Sequence, residues 1–198
     1  MPIENRIERI AGCVRILTQR LTNAGFEFAE PKEVFPGPQP GTDEAIVRIE
    51  NEAGHLPLAL KLFWKNIGSV NFCGAHPNWA VQPSAGWDDY TDPLVILPPS
   101  FSIFELDEFL EDKQERLRCH FPYSVIVAPD AKHKADVSGG APYTITVPAV
   151  ADDPPLDNEW HQTTLLNYLE EAIRWGGFPG LARCAGHNWP IEDLIKGF

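Results

Sequence analysis

Apolar residues recur every three or four positions near both ends of this chain and every second position in its middle. That change of period restricts the fold more than any other feature. Ile3, Ile7, Ile10, Val14, Leu17 and Leu21 place one apolar stripe on a helix spanning 3–24 that closes at Asn23-Ala24-Gly25. Glu4, Arg6, Glu8, Arg9 and Arg15 fall on the other face, so this helix packs by one side only. Thr42 stands as an N-cap ahead of Asp43 and Glu44, with Ala45, Ile46 and Ile49 as the apolar face and Gly54 as the stop. Leu56-Pro57 opens a further helix with Leu58, Leu62 and Phe63 inward and Gly68 at its end.

From Ser69 the period changes. Val70 and Phe72 alternate with small polar residues, and Leu94 to Leu97 forms a buried run closed by Pro98-Pro99. Ser124 to Val127 and Tyr143 to Val147 read as two more strands, with a short one within Ala131 to Val137 before a Gly139-Gly140 hairpin turn. Ser102-x-x-Glu105 reads as a capping box, followed by Ile103, Leu106, Leu110 and Leu117 on an inner face. A last long helix is expected from Gln162 to Trp175, ended by Gly176-Gly177, and a short one from Pro190 to Lys196. Residues 29–41, with four prolines and two glycines, and residues 149–158 read as loops. The expectation is one α+β domain over 1–198, a single sheet covered by helices, with a helical extension over 162–198.

Lys and Arg number 16 against 28 Asp and Glu, a net charge of −12. That sign repels phosphate backbones and anionic membrane surfaces, which argues against nucleic-acid and membrane partners and in favour of a basic protein surface. Charge of this kind also serves solubility alone. No apolar stretch reaches the ~18 residues of a membrane span, and no secretory h-region is present. Cys13, Cys73, Cys119 and Cys184 are widely spread, so reduced thiols in a cytoplasmic protein are expected.

Cys73-x-x-His76 and Cys184-x-x-His187 together have the ligand count of a structural zinc site, although Cys73 equally fits as a small buried hydrophobe at a strand end. His76 shares an irregular segment with Trp79, Trp87, Asp88, Asp89, Tyr90 and Asp92. Acid–base work by His76 with Asp88 or Asp92 would make a small hydrolase-like enzyme. The favoured reading is a loop turned by Asp and Pro and anchored by its aromatics. No nucleophile elbow, phosphate loop or metalloprotease helix is found, so no cofactor is expected. Lys132 and Lys134 around His133 are too few for a nucleic-acid patch. Trp79, Trp87, Trp160 and Trp189 fall in expected loops or at element ends, where they either anchor a partner or cover the sheet.

The segment Leu56-Pro-x-x-Leu60-x-x-Phe63-Trp64-x-x-Ile67-Gly68-x-Val70-x-Phe72-x-Gly74 resembles the signature of the SUKH superfamily. That superfamily takes in fungal cell-wall-synthesis regulators, Syd-like proteins and many bacterial immunity proteins. Glu44 to Gly54 stands where its acidic helix would, and His76-Pro77-x-Trp79 with Asp92-Pro93-Leu94 looks like the continuation in bacterial members. The resemblance is best over 42–98 and extends through Ser138-Gly-Gly-x-Pro-Tyr143 and Trp175-Gly-Gly-Phe-Pro-Gly180. The long first helix and the extended last third depart from the pattern. The resemblance implies a mixed, mainly antiparallel sheet with helices packed around it. It also implies a non-catalytic domain that binds a protein partner, for bacterial members often a basic toxin domain. Trp79, Trp87, Asp88, Asp89, Tyr90 and Asp92 form the expected contact surface.

Overall fold

The computed structural model describes residues 1–82, 90–111 and 122–198. Helix α1, Ile3–Ala24, buries Ile7, Ile10, Val14, Leu17 and Leu21, the expected stripe. It ends where Gly25 adopts φ 88°: the Gly25 and Phe26 N–H groups donate to the Thr22 and Leu21 carbonyls, capping the last turn. Strand β1 is Glu27–Phe28. Helix α2, Thr42–Glu52, follows Gly41 at φ 82°, and Thr42 lies inside it, donating its hydroxyl to the Gln39 carbonyl. Thr42 is therefore the first helical residue and not the cap. Helix α3 is Leu58–Asn66, led in by Pro57. Its Trp64 is fully buried and donates Nε1–H to the Leu97 carbonyl at 3.0 Å.

Strands β2, Val70–Asn71, β3, Gly74–Ala75, β4, Val81–Gln82, and β5, Val95–Ile96, are two residues each. Helix α4, Pro99–Glu111, starts with proline at its first position, where a missing N–H costs nothing. Ser102 lies within it, buried, with its hydroxyl oxygen unpartnered among the described residues, so it is not the capping residue that the Ser-x-x-Glu spacing suggests. Leu117 lies outside the described residues. Strands β6, Ser124–Ala128, and β7, Tyr143–Thr146, follow the alternation expected of them. Between them the expected strand within 131–137 is instead a 3-10 turn, His133–Ala135. Helix α5, Leu165–Arg174, is capped by Thr164, whose side chain accepts from the Asn167 N–H; strand β8 is Gly186–His187 and helix α6 is Ile191–Ile195.

The chain is α+β, but the expected single mixed sheet does not form. The described strands make four separate antiparallel pairs: β1 with β3, β2 with β5, β4 with β8 and β6 with β7. Proline and competition for backbone groups explain this. Pro93 and Pro98 flank β5 and keep it short, so it meets β6 through the Leu97 N–H donating to the Val127 carbonyl, and no ladder develops between them among the described residues. On the other side of β2, the Asn71 N–H is taken by the Val34 carbonyl. The 29–41 loop thus lies along β2 and closes its edge, with Val34 buried.

Helix α1 packs on α3, α5 and α6, while α2 packs on α3 and α4, and α4 on β6. One continuous apolar core runs from Ile7 to Leu194. Arg20 ties the two ends of the chain together by donating to the Leu194 and Lys196 carbonyls at 2.7 and 2.8 Å, where a cation offsets the negative end of α6. No helix among the described residues is long and apolar enough to cross a membrane.

Two glycines predict opposite responses. Gly68 has φ 84°, and a Cβ there would collide with the Gly37 backbone, because the loop lies directly on this turn. Gly68→Ala is expected to lower the unfolding free energy by more than about 1 kcal/mol in urea titration. Gly12, inside α1 with no neighbour in reach of an added Cβ, gains about 0.5–1 kcal/mol when replaced by Ala. Unchanged midpoints for both would contradict the packing described.

Candidate functional site

Four segments distant in sequence meet at one buried ion pair. Asp92 sits at φ 49° just before β5, Lys134 in the 3-10 turn, Tyr143 on β7 and Tyr168 on α5. Lys134 Nζ donates to Asp92 Oδ1 at 2.7 Å and to the Tyr168 hydroxyl at 3.1 Å, and Tyr143 donates its hydroxyl to Asp92 Oδ2 at 3.1 Å. Both charged side chains are 0% exposed. The ammonium also lies 4.7 Å from the Tyr143 ring centroid, over its negative face. Burial, reinforced by the Asp92 charge, pushes both phenols far above their ordinary range, so they stay protonated and remain donors. The Cys73 thiol donates to the Lys134 carbonyl, and burial raises it as well, which removes it as a thiolate nucleophile.

Beside this pair the chain wraps around Asp130. Its Oδ1 accepts from the Lys132 and His133 N–H groups at 2.9 and 3.4 Å, and its Oδ2 pairs with the His133 ring. Burial would raise this carboxyl, but those bonds outweigh it and hold it below the usual carboxylate range. Gly140, at φ 125°, presses against the same carboxylate, where any Cβ would overlap it. It therefore serves this packing and not a tight hairpin turn, since β6 and β7 are joined by the longer 129–142 segment.

A depression of about 320 Å³ opens here, lined by Tyr90, Asp130, Tyr143, Asn158, Trp160 and Arg183 among others. The Arg183 guanidinium stacks 4.2 Å from the Trp160 ring centroid. Under its rim the fully buried Glu159 carboxylate pairs with His161 Nδ1, while its second oxygen, Trp160 Nε1 and His161 Nε2 are buried without a hydrogen-bond partner among the described residues. Sequence reasoning missed Lys134, Glu159 and His161. Nothing local marks them, because burial by distant segments gives them their character.

His76 and Asp92, two of the residues expected to act together, have different partners. His76 accepts from the Asn78 N–H at Nδ1, so its Nε2 carries the proton and donates to the Ala24 carbonyl at 3.1 Å. Its ring stacks on Trp79 at 4.2 Å, and Trp79 continues onto Trp189 and Phe26, half-buried. Among the described residues, neither ring nitrogen is bonded to a carboxylate. Asp92, enclosed by Lys134 and Tyr143, does not reach the surface and, contrary to expectation, offers no contact to a partner. Tyr90 lies on the rim of the depression. Trp87, Asp88 and Asp89 lie outside the described residues.

The two Cys-x-x-His pairs also have separate partners. The Cys184 thiol donates to the Gly180 carbonyl, and the His187 ring faces Trp175. Among the described residues no group of three or more His, Cys, Asp or Glu could hold a metal ion. Neither a protein-family model, a curated protein nor a solved structure matches this chain.

Lys134→Met strands the Asp92 charge in the interior and is expected to cost about 3–5 kcal/mol of stability. Tyr143→Phe removes one donor to that charge and should cost about 1–3 kcal/mol. Urea denaturation reads both, and losses below 1 kcal/mol for each would mean that Asp92 is hydrated.

Proposed function

We propose that this chain is a non-catalytic protein-binding domain of the SUKH type, acting in a cell's interior as an immunity-type inhibitor that captures a basic toxin domain. One observation carries the reading: of the described charged side chains, only Asp92, Asp130, Glu159 and Lys134 are buried. The net negative charge is therefore presented outward, where it steers and orients a cationic partner. Two of the polar groups considered for catalysis are already committed, Asp92 to Lys134 and Tyr143, and His76 to two backbone groups. The Leu56 to Gly74 motif supports the reading through its resemblance to SUKH proteins. Trp79 and Tyr90 flank the segment that carries Trp87, Asp88 and Asp89, and serve as aromatic anchors of the contact.

The test is affinity capture from the cells that make the protein, followed by co-expression of the captured protein with and without this chain. The expected outcome is a basic partner whose toxicity is relieved. Capture should weaken by about tenfold or more in the Trp79→Ala, Tyr90→Ala double variant, and should weaken further as salt is raised. Recovery of no partner, or a turnover abolished by His76→Ala in a protein that still folds, would defeat the proposal.

A further inference from the structure

The negative charge is unevenly placed. Helices α2 and α4, TDEAIVRIENE and PSFSIFELDEFLE, pack together and hold eight carboxylates against one cation. These two helices thus carry −7 of the chain's −12. The cation, Arg48, is spent within the pair: it bridges from α2 to Asp107 on α4. Asp43 and Glu50 are paired with Lys65 and Lys61 of α3 at 2.7 and 2.8 Å. Glu44, Glu52, Glu108 and Glu111 have no ion-pair partner among the described residues. Like charges gathered on adjacent helices repel one another, and a cation from outside relieves that repulsion.

The same surface is also apolar in its recess. A groove of about 320 Å³ runs between the start of α2 and the start of α4, walled by Pro40, Ala45, Pro99 and Ile103, with Glu44 and Ser100 at its edge. That volume accepts one or two bulky apolar side chains. Val47 on α2 and Phe104 on α4 are 56% and 58% exposed, large apolar groups left in water on helices that otherwise turn acids outward. A second copy of this chain would bring the same −12 against −7 and is disfavoured by repulsion.

We infer that the groove between α2 and α4 is a docking site for a Lys/Arg-rich segment of a partner protein that inserts an apolar side chain between Ala45 and Ile103 while its cations cover Glu44, Glu52, Glu108 and Glu111. The inference rests on the protein-binding reading above and places the acidic part of recognition on these helices, whose groove is lined by neither Trp79 nor Tyr90.

Fluorescence anisotropy with two labelled peptides tests it: an amphipathic Lys/Leu peptide and a Lys/Ser peptide of equal charge. The Lys/Leu peptide should bind at least about tenfold more tightly, since one buried apolar side chain supplies that margin. Ser100→Trp, which fills the groove from an exposed position, should remove the preference. Glu44→Lys with Glu108→Lys should weaken both peptides, and Trp79→Ala should change neither. Circular dichroism melting checks that each variant folds, and the charge variant keeps the test open if Ser100→Trp does not.

Equal binding of the two peptides, or an unchanged preference in Ser100→Trp, would leave only diffuse charge attraction and overturn the inference. Sedimentation showing a dimer that Ser100→Trp dissolves would overturn it too, by assigning the groove to a second copy. If a captured partner is lost in the Trp79/Tyr90 variant but held by Ser100→Trp, the docking inference fails and the protein-binding reading survives. If no partner is captured yet the Lys/Leu preference holds, the groove stands and the immunity-type reading falls.

Discussion

The Asp92–Lys134 pair is the constraint around which the rest of the interior is arranged. Two charges at 0% exposure have given up their hydration, and their mutual attraction repays that only with good geometry and every remaining polar valence filled. Here Tyr143 and Tyr168 fill them, and each comes from a different element. The pair therefore fixes β7 and α5 relative to the entry of β5 and to the turn after β6. An apolar cluster of equal volume would hold those segments together less selectively, because apolar contacts have no direction. The left-handed backbone at Asp92, unusual for a residue with a Cβ, is sustained by these bonds.

The helices were legible because each buries one face, and one face leaves a period. The stripe from Ile7 to Leu21 fixes α1 and its Gly25 end without help from the rest of the chain. Strand positions were legible for the same reason at Ser124–Ala128 and Tyr143–Thr146. Strand partnership was not, since a ladder joins residues such as Val70 and Ile96 that share no local signal. Local rules also misled where a tertiary contact outbid them. The Ser102-x-x-Glu105 spacing fits a capping box, yet Pro99 starts the helix one turn earlier. Gly139-Gly140 fits a hairpin, yet Gly140 is needed to let the chain approach the Asp130 carboxylate.

The candidate site was the least legible part, and the reason is physical. Before a proline, Asp92 looks like any turn acid; between His133 and Ala135, Lys134 looks like a solvated cation. Each becomes special only when a partner forty-two residues away excludes water from it. The reverse holds for the acids of α2 and α4. They are ordinary surface residues one by one and acquire meaning from the packing of two helices that the sequence separates by the whole of α3 and four short strands.

The division of the described strands into four two-stranded pairs has a consequence for behaviour in concentrated solution. A long exposed ladder templates the addition of a neighbour's strand, and that is how sheet proteins aggregate. Pairs such as β1–β3 and β4–β8, two residues per strand, offer too few free amide groups to seed such growth, and β2 is already flanked by the Val34 segment. Among the described residues, these short pairs thus keep strand geometry in the interior while offering little edge for fibrils to start from.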